Sequence, residues 1–170
     1  SEVGHLNIGA GRVYYQTFPR INKAIDDESF FELPPIIKVV EHVKKNKSRL
    51  HVIGIASEGN VHAAQDHLYA CLELAKRQEI SEVFFHVFMD GRDALYNSGK
   101  GFIEKLQVKI AEYGRGKIAS MGGRHFGMDR DNRWKREHKA YDCMVNCKGR
   151  VRDDPIKALR EFYKQGETDE

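Results

Sequence analysis

A chain of 170 residues is long enough for one hydrophobic core and too short for two ordinary domains. Hydrophobic residues at 41% and charged residues at 31% exclude a disordered chain, and the longest apolar run, VFFHVFM at 83–89, is far too short to cross a bilayer. A net charge of +3 does not by itself argue for nucleic acid, and three cysteines make no disulfide framework, so a reducing cytosol is the expected compartment.

The sequence opens at Ser1 in a glycine-containing motif, without methionine, and closes at Glu170 just after a helical pattern that Gly166 stops. Both ends read as cuts, so the chain is expected to be a fragment. Gly11–Asp26 reads as one helix containing Pro19, with a linker near 10–20, and a second helix runs from Pro34 or Pro35 to Lys47. Three apolar runs rich in β-branched or aromatic residues follow as buried strands: Leu50–Ser57, Glu82–Asp90 and Lys117–Gly122. Between the first two, Leu68, Leu72 and Ala75 recur at helical spacing; between the second and third, Phe102, Leu106, Ile110 and Tyr113 do the same. A helix through Trp134, Tyr141 and Val145 comes next. The last helix starts behind Asp153, Asp154 and Pro155 and buries Leu159 and Phe162. Strands alternating with helices predict α/β architecture, a mostly parallel sheet with helices on both faces in three α/β/α layers.

In such sheets ligands bind at the carboxyl ends of the strands, where loops converge and helix N-termini point into the crevice. All three strands lead into loops crowded with reactive side chains. Ser57, Glu58, Gly59, Asn60 and His62 follow the first, Asp90, Gly91, Arg92 and Asp93 the second, and a stretch holding Arg124, His125, Asp129 and Arg130 the third. A planar guanidinium grips phosphate or carboxylate bidentately and stays charged. Three equivalent loops that together present arginines, histidine, glycines and acids therefore predict a small phosphorylated or carboxylated ligand, while any one loop alone reads sooner as local ion pairs such as Arg92 with Asp93. His62 reads as a hydrogen-bond donor to that ligand in preference to a metal cluster with Asp66 and His67. Cys143 and Cys147 read as small buried side chains on one helix face, since a zinc ribbon needs four ligands. Gly9 and Gly11 make no dinucleotide fingerprint and Gly99–Lys100 no P-loop.

SEVGHLNIGAGR at 1–12, RINKAI at 20–25, DGRD at 90–93 and MDRDNRW at 128–134, in that order, resemble the signature segments of the cofactor-independent phosphoglycerate mutases. The resemblance runs over essentially the whole chain and implies a phosphoserine mechanism in glycolysis, interconverting 3-phosphoglycerate and 2-phosphoglycerate without 2,3-bisphosphoglycerate. It assigns the nucleophile and one metal ligand to Ser1, and substrate binding to His62, Arg92, Asp93, Arg124 and Arg130. A serine hydroxyl needs a base or metal to activate it. The family implies two divalent ions, manganese in the usual case, held mostly by residues outside this segment. Residues 1–16 would end a phosphatase-like domain and its linker, and 17–170 would form an incomplete substrate-binding domain. The isolated segment is expected to be inactive, and the full-length enzyme to be a cytoplasmic monomer without nucleic-acid or membrane partners.

The sequence departs from the family at SEGNVHAAQ (57–65), where S-D-G-G-V-H-S-H is usual, at ALY (94–96) in place of T-P-P, and at His125 and Phe126, where tyrosines are common. His62, the arginines and Ser1 are kept. Two other readings stay open on the residues alone. One is a related metal-dependent phosphatase or phosphomutase, the other a non-enzymatic module binding a phosphorylated ligand.

Overall fold

In a computed structural model of the chain, residues 2–170 are described, with side chains from Val3 onward. Ser1 lies outside the described residues. The order of elements is α1 (Glu2–Ala10), α2 (Thr17–Asp26), a 3-10 turn (Ser29–Glu32), α3 (Pro34–Asn46), β1 (Leu50–Ala56), α4 (Gln65–Arg77), β2 (Val83–Met89), α5 (Gly99–Tyr113), β3 (Lys117–Gly123), the single turn α6 (Arg124–Gly127), α7 (Trp134–Asn146) and α8 (Pro155–Lys164).

The strands pair in parallel in the order β1-β2-β3, as the alternation of strand and helix predicts. Consecutive parallel neighbours need crossovers, and right-handed crossovers in one direction place both connecting helices on one face. α4 and α5 accordingly pack on each other and on the sheet. Beneath them the inward residues of β2, Val83, Phe85, Val87 and Met89, are each at most 3% exposed. Leu68, Leu72 and Ala75 of α4 are buried there as their spacing predicts, joined by Leu106 and Ile103 of α5. Burying a side chain the size of Phe85 or Leu72 removes enough apolar surface from water to contribute about 1.5–3 kcal/mol. α3 adds Val40 and Val43 to this core and α8 adds Leu159. The opposite side of the sheet carries a polar ladder: His51 meets His86 at 2.9 Å and His86 meets Ser120 at 2.8 Å. Ile53 beside it is 59% exposed, while α6 and α7 lie against β3.

Three expectations change in detail. The helix over 11–26 begins only at Thr17, which puts Pro19 in its first turn, where a missing N–H costs nothing. The preceding stretch turns at Gly11, with φ +61°. Cys147 is exposed and ends α7 in the left-handed region at φ +54°, so it does not share a buried face with half-buried Cys143. Phe162 is only half-buried, because its ring lies under the Arg150 guanidinium at 3.9 Å, which leaves it at the surface beside a cation. The start of α8 is as read: Pro155 occupies the first turn, and the Asp154 carboxylate accepts the Ile156 and Lys157 amides at 2.9 and 3.1 Å.

Candidate functional site

β1, β2 and β3 end on one rim, so the loops after them share one crevice. At its floor is Asp90, 3% exposed, the first residue after β2. One oxygen accepts the Ser57 hydroxyl at 2.5 Å from the loop after β1. The other accepts the Arg92 and Asp93 amides at 3.2 and 2.9 Å, closing its own loop, and Arg124 Nη1 at 2.8 Å from the turn after β3. A single carboxylate thus ties all three loops together. Burial alone would raise its pKa. The hydrogen bonds from Ser57, the Asp93 amide, Arg124 and the Arg92 amide outweigh burial and hold it below the ordinary carboxylate value.

Gly59 is required where the first two loops meet. A Cβ there would stand 2.9 Å from Asp93 Cβ, closer than real Cβ atoms come, and a tight 3.1 Å from Asp90 Oδ2.

Arg124 is itself 8% exposed. Its Nη1 also donates to Asp93 Oδ2 at 2.5 Å. Desolvation pulls its pKa down, but Asp93 and Asp90 more than compensate and raise it. His62 Nε2 stands 3.8 Å from the same Asp93 oxygen. His62, Arg92, Arg124 and Arg130 all line one concave pocket, and Asp93 touches two of them. The structure brings together every site residue read from the sequence except Ser1, which lies outside the described residues.

The pairing within the pocket differs from the local loop pairs that the sequence allows. Arg92 reaches Glu170 at 3.8 Å, not Asp93. Asp129 accepts the Asp131 and Arg133 amides at 3.0 and 2.8 Å, lies 3.6 Å from Arg136, and takes no ion pair from Arg130. The Arg133 amide chiefly lowers the Asp129 pKa, opposed by burial and helped by the Asp131 amide and the charges of Arg136 and Arg133. Arg130 has no ion-pair partner among the described residues and faces the pocket with its charge available.

No three His, Cys, Asp or Glu side chains among the described residues are grouped to hold an ion, and His67 is drawn away to Asn22 Oδ1, 2.7 Å distant. No helix among the described residues is long and apolar enough to cross a membrane.

Sequence reasoning passed over Ser57, Asp90, Asp129 and Glu170 as individual site members. Asp90 carried a usable signal, an aspartate closing a strand whose side chain can cap the amides two and three residues on. Glu170 carried none.

Comparison with known proteins identifies relatives of the whole chain. The family model described as the BPG-independent PGAM N-terminus matches residues 21–170. The 2,3-bisphosphoglycerate-independent phosphoglycerate mutase of Lachnoclostridium phytofermentans is 50% identical over the whole chain, and that of Acetivibrio thermocellus 48%; in each case the chain spans 33% of the relative's length. A crystal structure of Leishmania mexicana phosphoglycerate mutase at low cobalt concentration superposes with a TM-score of 0.87 at 28% identity, over 94% of this chain and 30% of that one. The chain is thus about a third as long as its relatives, and by the family match over most of its length it belongs to the BPG-independent phosphoglycerate mutases, within their N-terminal part.

Proposed function

We propose that this chain is the substrate-binding segment of a phosphoglycerate mutase that interconverts 3-phosphoglycerate and 2-phosphoglycerate through a phosphoserine on Ser1. The observation that carries the reading is the convergence of His62, Arg92, Arg124 and Arg130 from three separate loops on one pocket at the carboxyl edge of the sheet. Phosphoglycerate carries two anionic groups, a carboxylate and a phosphate, and one free hydroxyl, which in the 3-phospho isomer lies between them. Arg130, free of ion pairs among the described residues, and Arg92, held only at 3.8 Å by Glu170, are the cations available to those anions. Arg124 is committed to Asp90 and Asp93 and orients Asp93 as much as it binds. Asp93, with one oxygen on Arg124 and 3.8 Å from His62, is placed to accept a hydrogen bond from a glycerate hydroxyl while the acceptor oxygen changes.

When bound, two divalent ions would supply nucleophile activation and charge stabilisation. The described side chains do not form a centre for them, so their ligands are Ser1 and residues outside this chain, with manganese as the ion. The cobalt named with the Leishmania protein supports a divalent requirement of this kind. Residues 1–16 act as the end of the phosphatase-like part and linker. Support comes from the exposed apolar side chains there, Leu6 at 48% and Ile8 at 83%, and from a family match that starts at residue 21. The enzyme works in glycolysis, in the cytoplasm, as a monomer and without nucleic-acid or membrane partners.

In the full-length protein, Arg130→Ala and Arg92→Ala each remove a charge-assisted hydrogen bond of about 1.5–3 kcal/mol, which is about 10- to 100-fold in KM for 3-phosphoglycerate. Ser1→Ala abolishes turnover and the phosphoserine seen by mass spectrometry. Unchanged KM in both arginine variants would refute the binding role, and turnover by Ser1→Ala would refute the nucleophile.

A further inference from the structure

The polypeptide after α8 returns to the rim and passes between the loops of the site. Asp169, a residue with no role assigned above, is 3% exposed. Its Oδ2 accepts the amide of Gly99, the first residue of α5, at 2.7 Å across 70 positions of sequence. Its Oδ1 accepts the Tyr163 hydroxyl, and its own amide donates to the Tyr96 carbonyl at 2.8 Å. Ser98, the residue before α5, makes no side-chain cap, so Asp169 supplies from a distance the carboxylate that an N-cap residue supplies locally.

Residues 169–170 occupy a slot left open by three glycines, one in the loop after β2, one opening α5 and one ending β3. A Cβ on Gly91 would stand 2.7 Å from Glu170 N, one on Gly99 2.7 Å from Asp169 Oδ1, and one on Gly123 would collide with the Glu170 carbonyl. Gly91 and Gly123 are the residues immediately before Arg92 and Arg124. Gly123 has φ −76°, a conformation open to any residue, so space and not backbone geometry is what its missing side chain provides. Burial raises the pKa of Asp169, with the charge of Asp90 adding to it, against the hydrogen bonds from Tyr163 and the amides. A buried carboxylate with no ion-pair partner among the described residues is costly in a fold, which leaves its placement to be explained by what it holds.

We infer that Asp169 is a positioning residue for the substrate pocket: by clamping the N-terminus of α5 and seating 169–170 in the glycine slot, it holds the loop bearing Arg92 and Asp93 against the turn bearing Arg124. This rests on the binding role given to those arginines above. An ångström of displacement at a binding group costs up to about 100-fold, so loosening the clamp raises KM without touching any atom that contacts substrate.

The test is steady-state kinetics on the full-length protein with 3-phosphoglycerate, well below the unfolding temperature and with folding checked by circular dichroism. Asp169→Ala raises KM about tenfold while kcat stays within about threefold, the pattern of lost ground-state binding. Asp169→Asn keeps an acceptor for Gly99 and returns KM to within about threefold of the parent. Gly123→Ala fills the slot and raises KM in the same way. The double variant Asp169→Ala, Gly123→Ala is no worse than the more impaired single variant, because both undo one seating. Should Asp169→Ala not fold, Gly123→Ala and Asp169→Asn decide the matter on the same criteria. A KM unchanged in folded Asp169→Ala or in Gly123→Ala, multiplicative losses in the double variant, or no rescue by Asn would overturn the inference. Arg130→Ala run alongside separates the two levels: if it also leaves KM unmoved, the arginine pocket is not the substrate site, whereas a raised KM there with unmoved Asp169 variants discards the clamp alone.

Discussion

Asp90→Asn is the sharpest probe of how the rim is held together. Asparagine has the shape of aspartate, and its Oδ1 can keep the bonds now accepted from Arg124 at 2.8 Å and from the Arg92 and Asp93 amides at 3.2 and 2.9 Å. Its Nδ2 would then face Ser57 Oγ, which sits 2.5 Å away as a donor but can rotate to accept. What is lost is the negative charge beside a guanidinium that is 8% exposed. A charge-assisted bond contributes about 1.5–3 kcal/mol. Since Asp93 still pairs with the same nitrogen, the lower half of that range applies, about 2 kcal/mol at pH 7 and a fall in Tm of about 4–8 °C. The sign with pH follows from the lowered pKa. The folded carboxylate binds its proton less readily than the unfolded one, so its contribution is present above the unfolded value of 3.8 and lost as pH falls through the lower folded value. Urea unfolding of parent and variant at pH 7, 5, 4 and 3 measures this directly. The gap should hold from pH 7 to 5 and narrow below 4. A gap that is the same at every pH, or one under about 0.5 kcal/mol at pH 7, would mean that the charge on Asp90 is not what binds the three loops.

Phe85→Ala empties a site that is 0% exposed between sheet and helices and lowers unfolding free energy by about 3–5 kcal/mol in urea; a loss below about 1 kcal/mol would place Phe85 outside the load of the core. Gly127→Ala drives a methyl into the Phe88 ring and costs about 1–3 kcal/mol by the same measurement, and a neutral result would show that α6 does not rest on β2. His86, desolvated and next to His51, should titrate by NMR below the free value of 6.5. Its neutral form then stabilises the fold above that pH and loses that contribution as pH falls through 6.5 toward the folded value, and a titration at or above 6.5 would contradict the burial and contacts assigned to it.

The strands were legible because each is a short, mainly apolar stretch between turn residues, and seven residues are too few for the core-facing stripe of a helix. Helices with a strong apolar stripe were legible by its spacing. Gly11–Gln16 misled because Tyr14 and Tyr15 continue an apolar spacing across a segment that is exposed and not helical, and propensity alone has no means of registering the absence of a surface to pack on.

The arginines of the site were legible through topology, since loops after parallel strands must meet at one edge. Their partners were not, because pairing depends on which of several carboxylates reaches a guanidinium in three dimensions. Near Arg124 the sequence offers Asp129 and Asp131, yet the partners are Asp90 and Asp93, more than thirty positions away. The same holds for Asp169, which looks in the sequence like part of a polar tail and in space caps a helix seventy residues upstream. Local reasoning found the charges that line the pocket because they sit on loops that the parallel topology gathers at one sheet edge. It missed the charges that hold those loops in place, because a buried carboxylate acts only through partners that folding brings to it.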